Sequence, residues 1–133
     1  MAEFNASSGA KIVINEAPWP DAKRLKMAVQ SELAHANISL NLEDDIGSLI
    51  SAFLKVDSAE SVDKALWPCL ARCTRNGMKV TEDLFDTVPE ARKDYYDIVT
   101  ACAKANLFPL YESLYLKLKS KIKAKKATSE NPA

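Results

Sequence analysis

Residues 46–56 read Ile46-Gly-Ser-Leu-Ile-Ser-Ala-Phe-Leu-Lys-Val56, and they carry the clearest amphipathic pattern in the chain. Large apolar side chains recur there at helical spacing: Ile46, Leu49, Ile50, Phe53 and Leu54. This spacing places them on one face of an α-helix. Asn41 and Glu43 precede the helix. Asn41 can cap it, and the negative charge of Glu43 interacts favourably with the positive end of the helix dipole. The stretch therefore predicts a helix with one face in a core.

Helical spacing continues on both sides of this stretch. The expected helix starts are marked by a proline or a hydroxyl cap: Pro20, Ser58, Thr81, Pro89 and Pro109. Pro68 falls inside the segment after Ser58, and because proline lacks an amide hydrogen it should kink or restart that helix before Gly77. Together with residues 46–56, these segments predict five or six helices.

Two short segments have the character of β-strands. Lys11–Asn15 is rich in β-branched residues, and Met78–Val80 follows the turn pair Asn76-Gly77. We therefore expect a mainly α fold, a compact bundle of five to six helices with at most a short two-stranded β ribbon that pairs Lys11–Asn15 with Met78–Val80. We also expect a disordered N-terminus at residues 1–10, a single helical domain at residues 11–123 and a disordered lysine-rich tail at residues 124–133.

Charge is unevenly distributed along the 133 residues, although the formal net charge is zero. Residues 1–116 hold 12 basic and 17 acidic side chains, whereas residues 117–133 hold six lysines and one glutamate. A basic tail behind an acidic body could contact nucleic acid, a membrane surface or an acidic partner. A solvated helix end followed by disorder is the more common origin of such a pattern.

Neither a membrane span nor a signal peptide is expected. The longest nearly uninterrupted apolar stretch, Ile46 to Val56, is far shorter than the roughly 20 residues that cross a bilayer. Met1 to Ala10 lacks the basic and apolar regions of a signal peptide. We therefore expect a cytosolic protein without a membrane partner, and its three cysteines should be reduced.

His35, Cys69 and Cys73 are the side chains most able to support chemistry. His35 is the only histidine. It lies near the end of the first predicted helix, where a positive charge interacts favourably with the helix dipole. Cys69 and Cys73 share one helical face, but structural zinc needs four ligands, and Cys102 and His35 are distant along the chain. Cysteine is often buried, so we expect core thiols and no bound metal or cofactor.

Catalytic motifs are not found in the sequence. The acidic runs Glu43-Asp44-Asp45 and Glu82-Asp83 precede predicted helices, where capping and dipole effects explain them. The chain has three glycines, and it contains no phosphate-binding loop, nucleophile elbow or HExxH motif. We therefore expect a protein that is not an enzyme. A zinc-dependent enzyme that uses the cysteines and the histidine would require stoichiometric zinc in the purified protein.

Aromatic side chains are concentrated in the C-terminal half of the chain. Tyrosine and tryptophan occur in cores and also as anchors of interfaces. Adjacent residues of a helix point about 100° apart, so Tyr95 and Tyr96 cannot both face the core, and we expect Tyr96 to be exposed. As candidates for binding a partner we select positions on the last two predicted helices: Tyr96, Tyr111, Tyr115, Lys117 and Lys121.

Three segments that follow one another along most of the chain carry a resemblance to a known family. The first is Lys11-Ile-Val-Ile-Asn-Glu-Ala-Pro-Trp-Pro-Asp-Ala-Lys-Arg-Leu-Lys26, a short apolar strand, a turn with proline and the start of a helix. The second is Ala65-Leu-Trp-Pro-Cys-Leu-Ala-Arg-Cys-Thr74, followed by Gly77 and Thr81. The third is Asp94-Tyr-Tyr-Asp-Ile-Val99, leading to Ala105-Asn-Leu-Phe-Pro109. Between Lys11 and Tyr115 the chain thus resembles the tail assembly chaperones of long-tailed, siphovirus-type bacteriophages.

The resemblance implies a role in viral tail morphogenesis. It implies a non-catalytic protein that binds the tape measure protein, keeps it soluble and helps to recruit tail tube subunits. It also implies action in the host cell cytoplasm and absence from the mature virion. Many such chaperones are also made as a longer form by programmed ribosomal frameshifting. This chain resembles the short form, and the codons of Lys125-Lys126 are where we expect the slippery site.

An exposed apolar groove on a helical protein would suit this role, because it can cover one apolar face of a long partner helix. Many copies along one tape measure would gain from self-association, so we expect a weak homo-oligomer with contacts between acidic body and basic end. The alternative function is a small helical nucleic-acid-binding or regulatory protein that uses Lys117 to Lys126. We do not expect nucleic acid as the partner, since the body is acidic and has no clear helix-turn-helix pattern.

Overall fold

This computed structural model describes residues 2–38 and 46–109 of the chain. These residues contain five α-helices and four β-strands. The strands are β1 (Ala2–Asn5), β2 (Lys11–Ile14), β3 (Thr74–Arg75) and β4 (Met78–Lys79). The helices are α1 (Trp19–His35), α2 (Ile46–Val56), α3 (Glu60–Leu70), α4 (Glu82–Thr87) and α5 (95–109). A 3-10 helix at Pro89–Asp94 leads directly into α5. The predicted last helix and the lysine-rich tail lie outside the described residues.

The four strands form one antiparallel sheet in the order β1-β2-β3-β4. This sheet corrects the expected fold class, a helical bundle with at most a two-stranded ribbon. β2 pairs with β1 on one side and with β3 on the other, and β4 pairs with β3. The expected pairing of Lys11–Asn15 with Met78–Val80 is therefore wrong, because β3 lies between these two segments.

The outer strand β1 lies within residues 1–10, for which disorder was expected. It pairs along its whole length with β2, and Phe4, opposite Ile12, packs against the core. Two hydrogen bonds between Ala6 and Ala10 or Gly9 close the connecting loop, at 2.9 and 2.8 Å. The φ of Gly9 is +91°, a conformation that favours glycine. A four-residue strand with one large apolar side chain gives too short a pattern for the sequence to predict it.

The pair Asn76-Gly77 forms the tight turn between β3 and β4. Both residues have positive φ, 49° and 83°, as in the two-residue turns that join the strands of a β-hairpin. The turn agrees with the sequence pattern. The two residues of β3 come four residues after α3 ends, and a two-residue strand is too short to show any alternation of apolar and polar side chains.

The helices begin close to the predicted residues, but the residues that cap or interrupt them differ from those predicted. Pro68 lies inside α3, which continues to Leu70, so the helix ends two residues after the proline. α3 has Ala59 at its N-cap in place of Ser58, and Thr81 precedes α4 without a side-chain capping bond. Pro89 starts the 3-10 helix, and α-helical geometry begins only at residue 95.

The core joins the sheet to the helices. α1 packs along α3, and buried apolar side chains of both helices belong to one cluster that also contains Ile12 and Ile14 of β2. The largest fully buried side chains come from β2 and from the helices α1, α2, α3 and α5: Phe53, Ile12, Ile14, Leu25, Leu66, Leu70, Ile98 and Leu107. Full burial of such a side chain contributes roughly 1.5–3 kcal/mol. This core fixes the positions of α3, α4 and α5, which together carry the candidate site.

Candidate interaction surface

An open groove lined by four aromatic side chains lies where α3, α4 and the start of α5 meet. We call it the aromatic groove, and its lining is Trp67, Glu82, Phe85, Asp86, Arg92, Tyr95 and Tyr96. Its volume is about 560 Å³, within the range of natural ligand sites. Because the lining comes from three α-helices and the 3-10 helix, only the folded chain presents this surface.

The four aromatic rings form a continuous edge-to-face series. The ring centroids are 6.1 Å apart for Trp67 and Phe85, 5.5 Å for Phe85 and Tyr95, and 5.2 Å for Tyr95 and Tyr96. Each such contact contributes about 0.5–1.5 kcal/mol beyond the burial of apolar area. The series leads from the half-buried Trp67 to Tyr96, which is 62% exposed. The series therefore presents a partly exposed aromatic surface to solvent.

Polar contacts hold the groove residues in place. The indole Nε1 of Trp67 donates a hydrogen bond to Asp63 Oδ1 at 3.2 Å. Arg92 Nε donates to the carbonyl oxygen of Phe85 at 2.9 Å, and Arg92 also forms an ion pair with Asp86 at 3.5 Å. The two Arg92 contacts connect the 3-10 helix to α4, and the bond to Asp63 orients the indole of Trp67 within α3.

Carboxylates dominate the charge around the aromatic groove. Burial raises the pKa of the Tyr95 hydroxyl, and the negative charges of Asp63 and Asp57 raise it further. Of the described residues that line the groove, two are acidic and Arg92 alone is basic. Since Arg92 is already paired with Asp86, the groove favours a positively charged ligand over a negatively charged one.

Tyr96 is the sequence-predicted candidate that falls within the described residues. It is exposed, as its position beside Tyr95 predicts, and it lines the aromatic groove. The other four candidates lie outside the described residues: Tyr111, Tyr115, Lys117 and Lys121. The sequence does not distinguish Trp67, Phe85 and Tyr95 from core residues, because a half-buried aromatic side chain has the same helical spacing as a buried one.

A second shallow groove runs along the exposed side of α5 and shares Tyr96 with the aromatic groove. Its lining comes from β1, the β1–β2 loop and α5: Phe4, Asn5, Ala6, Ser7, Tyr96, Asp97, Thr100, Ala101 and Lys104. The backbone amide and the hydroxyl of Ser7 both donate to Asp97 Oδ2, at 3.2 and 2.8 Å. Tyr96 therefore lies at the junction of two open grooves.

A buried carboxylate joins three separate segments beside these grooves. Asp94 is fully buried and accepts hydrogen bonds from the amide and hydroxyl of Ser8, at 3.2 and 2.6 Å, and from Arg75 Nε at 3.0 Å. Burial alone would raise the pKa of Asp94, but the bonds from Ser8 and Arg75 outweigh it and hold the pKa below its ordinary value. Because Tyr95 and Tyr96 follow directly, this cluster fixes the start of α5.

The three cysteines are buried thiols. Cys69, Cys73 and Cys102 are each 0% exposed, and none forms a disulfide. Burial raises the pKa of Cys69 to about 12. A hydrogen bond from Cys102 to Cys73 lowers the pKa of Cys73 and raises that of Cys102. Their burial agrees with the core role that the sequence predicts.

His35 is the last residue of α1, in the position that the sequence predicts. Its Nδ1 lies 2.8 Å from the carbonyl oxygen of Ser31, one helical turn earlier. No cluster of three or more potential metal ligands occurs in residues 2–38 and 46–109. The contacts of His35 are thus those of a helix terminus.

Comparisons of the chain with protein-family models, curated proteins and solved structures give no match. Within the described ranges, every helix is too short or too polar to cross a membrane.

Proposed function

We propose that this protein is a non-catalytic tail assembly chaperone of a long-tailed bacteriophage, which binds the tape measure protein and keeps it soluble. One observation carries the proposal. Two of the three segments on which the resemblance rests contribute Trp67 and the pair Tyr95-Tyr96, and these side chains meet in the aromatic groove. Tryptophan and tyrosine are the side chains that most often dominate the free energy of protein association.

The spacing of the rings suits a partner helix. Apolar side chains at i and i+3 or i+4 lie about 5–6 Å apart on a helix surface. The successive centroid distances of Trp67, Phe85 and Tyr95 are similar, 6.1 and 5.5 Å. Glu82 and Asp86 at the rim favour lysine or arginine beside such anchors. The groove can therefore cover one or two turns of an amphipathic helix, which is the unit that a long tape measure repeats.

The proposal extends to assembly in the host cytoplasm. Recruitment of the tail tube protein requires a second contact, and the groove beside α5, next to Tyr96, offers a surface for it. Weak self-association would add to binding, since many linked weak contacts along one partner increase the overall affinity. The nucleic-acid-binding alternative depends on residues 117–126, which lie outside the described residues. The acidic rim of the aromatic groove favours a protein partner over a polyanion.

Co-expression with the product of the neighbouring tape measure gene tests this proposal. We expect the tape measure protein in the soluble fraction as a complex with this chain, and in aggregates when the chain is replaced by an unrelated small helical protein. An insoluble tape measure protein with no co-purifying complex would contradict the proposal. Retention of the pure protein on a DNA column at physiological salt would favour the alternative.

A further inference from the structure

We propose that the chain carries its own ligand for the aromatic groove, and that residues 110–126 bind there in the same molecule until a partner displaces them. Displacement by the tape measure rests on the proposed function, whereas occupancy of the groove in the free protein does not. The proposal concerns a segment that lies outside the described residues and follows α5 directly.

The sequence of this segment matches the chemistry of the groove. Beyond the residues needed to reach the groove, its apolar residues include Leu118 and Ile122, and lysines at 117, 119, 121 and 123 stand beside them. Leucine and isoleucine are suited to the ring surfaces of Trp67 and Phe85, which are half-buried and open on one side. A lysine ammonium group over the exposed ring of Tyr96 would add a cation–π contact.

Charge complementarity points in the same direction. Glu82 and Asp86 line the groove, and Asp63 accepts the hydrogen bond of the lining residue Trp67. Residues 110–126 hold six lysines and one glutamate, so the segment has a net positive charge, whereas in the groove lining two acids stand against Arg92. Opposite charges on the two surfaces increase the rate of encounter and fix the register of the contact.

The groove is within reach of the segment in the same molecule. It lies at the start of α5, and residue 109 is 14 residues further along, about 21 Å at the rise of an α-helix. Residues 110–116 can span about 23 Å if extended. Lys117 and the residues after it can therefore return to Tyr95 and Tyr96.

Intramolecular attachment favours this occupant over a second copy. A segment tethered by a short linker has an effective concentration in the millimolar range, above the concentration of free protein in most solutions. The apolar rings would then be covered in the free chaperone, which limits its aggregation. A partner with a longer apolar and basic face would replace the segment and expose it for further contacts.

Photo-cross-linking of the full chain tests the proposal. Tyr96 is replaced by p-benzoyl-phenylalanine, and equal amounts of ¹⁴N- and ¹⁵N-labelled protein are mixed before irradiation. We expect cross-links from position 96 to residues 110–126, with both ends of each cross-link carrying the same isotope. The same photoreactive residue at Met27, which is 58% exposed on α1, should not cross-link to this segment.

Charge reversal gives a matched set of variants. Lys117→Glu with Lys121→Glu should lower the yield of these cross-links about fivefold, whereas Lys23→Glu on the exposed side of α1 should leave it unchanged. Cross-links between ¹⁴N and ¹⁵N chains would overturn the proposal in favour of a second copy. An absence of cross-links to residues 110–126 would overturn it as well. If the tape measure protein still co-purifies in that case, the proposed function stands and only the occupant is wrong.

Chemical acetylation of the unmodified protein provides a second measurement. Lys117 and Lys121 should react several-fold more slowly than the exposed Lys23, because ion pairs with the rim cover them. Replacement of the rim acids, Glu82→Gln with Asp86→Asn, should restore the faster rate. Equal rates at all three lysines in the native protein would contradict the proposal.

Discussion

The carboxylate of Asp94 lies 3.0 Å from Arg75 Nε, and both side chains are buried, with exposures of 0% and 8%. The pair joins β3 to the residue that precedes α5. Ser8 adds two hydrogen bonds to the same carboxylate, so the N-terminal hairpin is attached at this point too. One buried ion pair therefore holds together the sheet and the helix start that carries Tyr95 and Tyr96.

Removal of one partner should strongly destabilise the protein. Asp94→Ala leaves the guanidinium of Arg75 buried without its counter-charge, and such changes lower the free energy of unfolding by about 3–5 kcal/mol. Urea denaturation followed by circular dichroism measures the difference. Glu60→Ala is the matched control, because Glu60 pairs with Lys64 at 3.2 Å on the exposed surface, where ion pairs contribute little. Equal losses in the two variants would contradict the assigned role of Asp94.

The same carboxylate predicts how stability depends on pH. The folded-state pKa of Asp94 lies below the value of about 3.9 for an unfolded chain. Its contribution to stability is therefore complete above the unfolded-state pKa and decreases as the pH falls through the folded-state pKa. The difference in unfolding free energy between wild type and Asp94→Asn should shrink as the pH is lowered from about 5 to below 3. A difference that grows toward acid pH would contradict a lowered folded-state pKa of Asp94.

Gly77 is the residue at which the β3–β4 turn requires a left-handed backbone. Its φ is +83°, and an added Cβ would meet no other atom within 4 Å. The cost of Gly77→Ala is therefore backbone strain alone, about 1–2 kcal/mol of unfolding free energy. Gly77→Asn should lose less, because asparagine tolerates positive φ. Thermal unfolding of both variants measures the order, and an alanine variant as stable as wild type would refute the turn assignment.

The buried thiols predict a clear result in titration with a thiol reagent such as DTNB. At pH 8 the native protein should show no rapid reaction, because Cys69, Cys73 and Cys102 have no exposed surface and burial keeps Cys69 protonated. In denaturant all three thiols should react. A single thiol that reacts rapidly in the native state would place one of them at the surface and contradict the described packing.

The helices and two of the four strands could be predicted from the sequence, whereas the four-stranded sheet and its strand pairing could not. Apolar residues that recur at intervals of three and four positions identify α1 and α2, and this pattern can be read within each segment alone. β3 depends on pairing with β2, a contact between residues distant along the chain, whereas β1 pairs with the neighbouring β2 but has only four residues. Strands of two to four residues show too little alternation to be recognised before their partners are known.

The site was predictable only where local geometry decides it. The exposure of Tyr96 follows from its position beside Tyr95 on a helix. The meeting of Trp67, Phe85 and Tyr95 depends on how three helices pack, which no spacing within one helix encodes. The buried pair Arg75–Asp94 is also invisible in the sequence, because its two residues look like surface charges until the fold brings them together.

We propose that the aromatic groove binds an apolar helical face of the tape measure protein. This claim is tested most directly by titrating a soluble helical fragment of that protein into wild type, Tyr96→Ala and Met27→Ala in a calorimeter. Tyr96 and Met27 are 62% and 58% exposed, so neither change should alter the free energy of unfolding appreciably. We expect Tyr96→Ala to weaken binding about tenfold or more and Met27→Ala to bind like wild type. Equal affinities for all three proteins would contradict the claim.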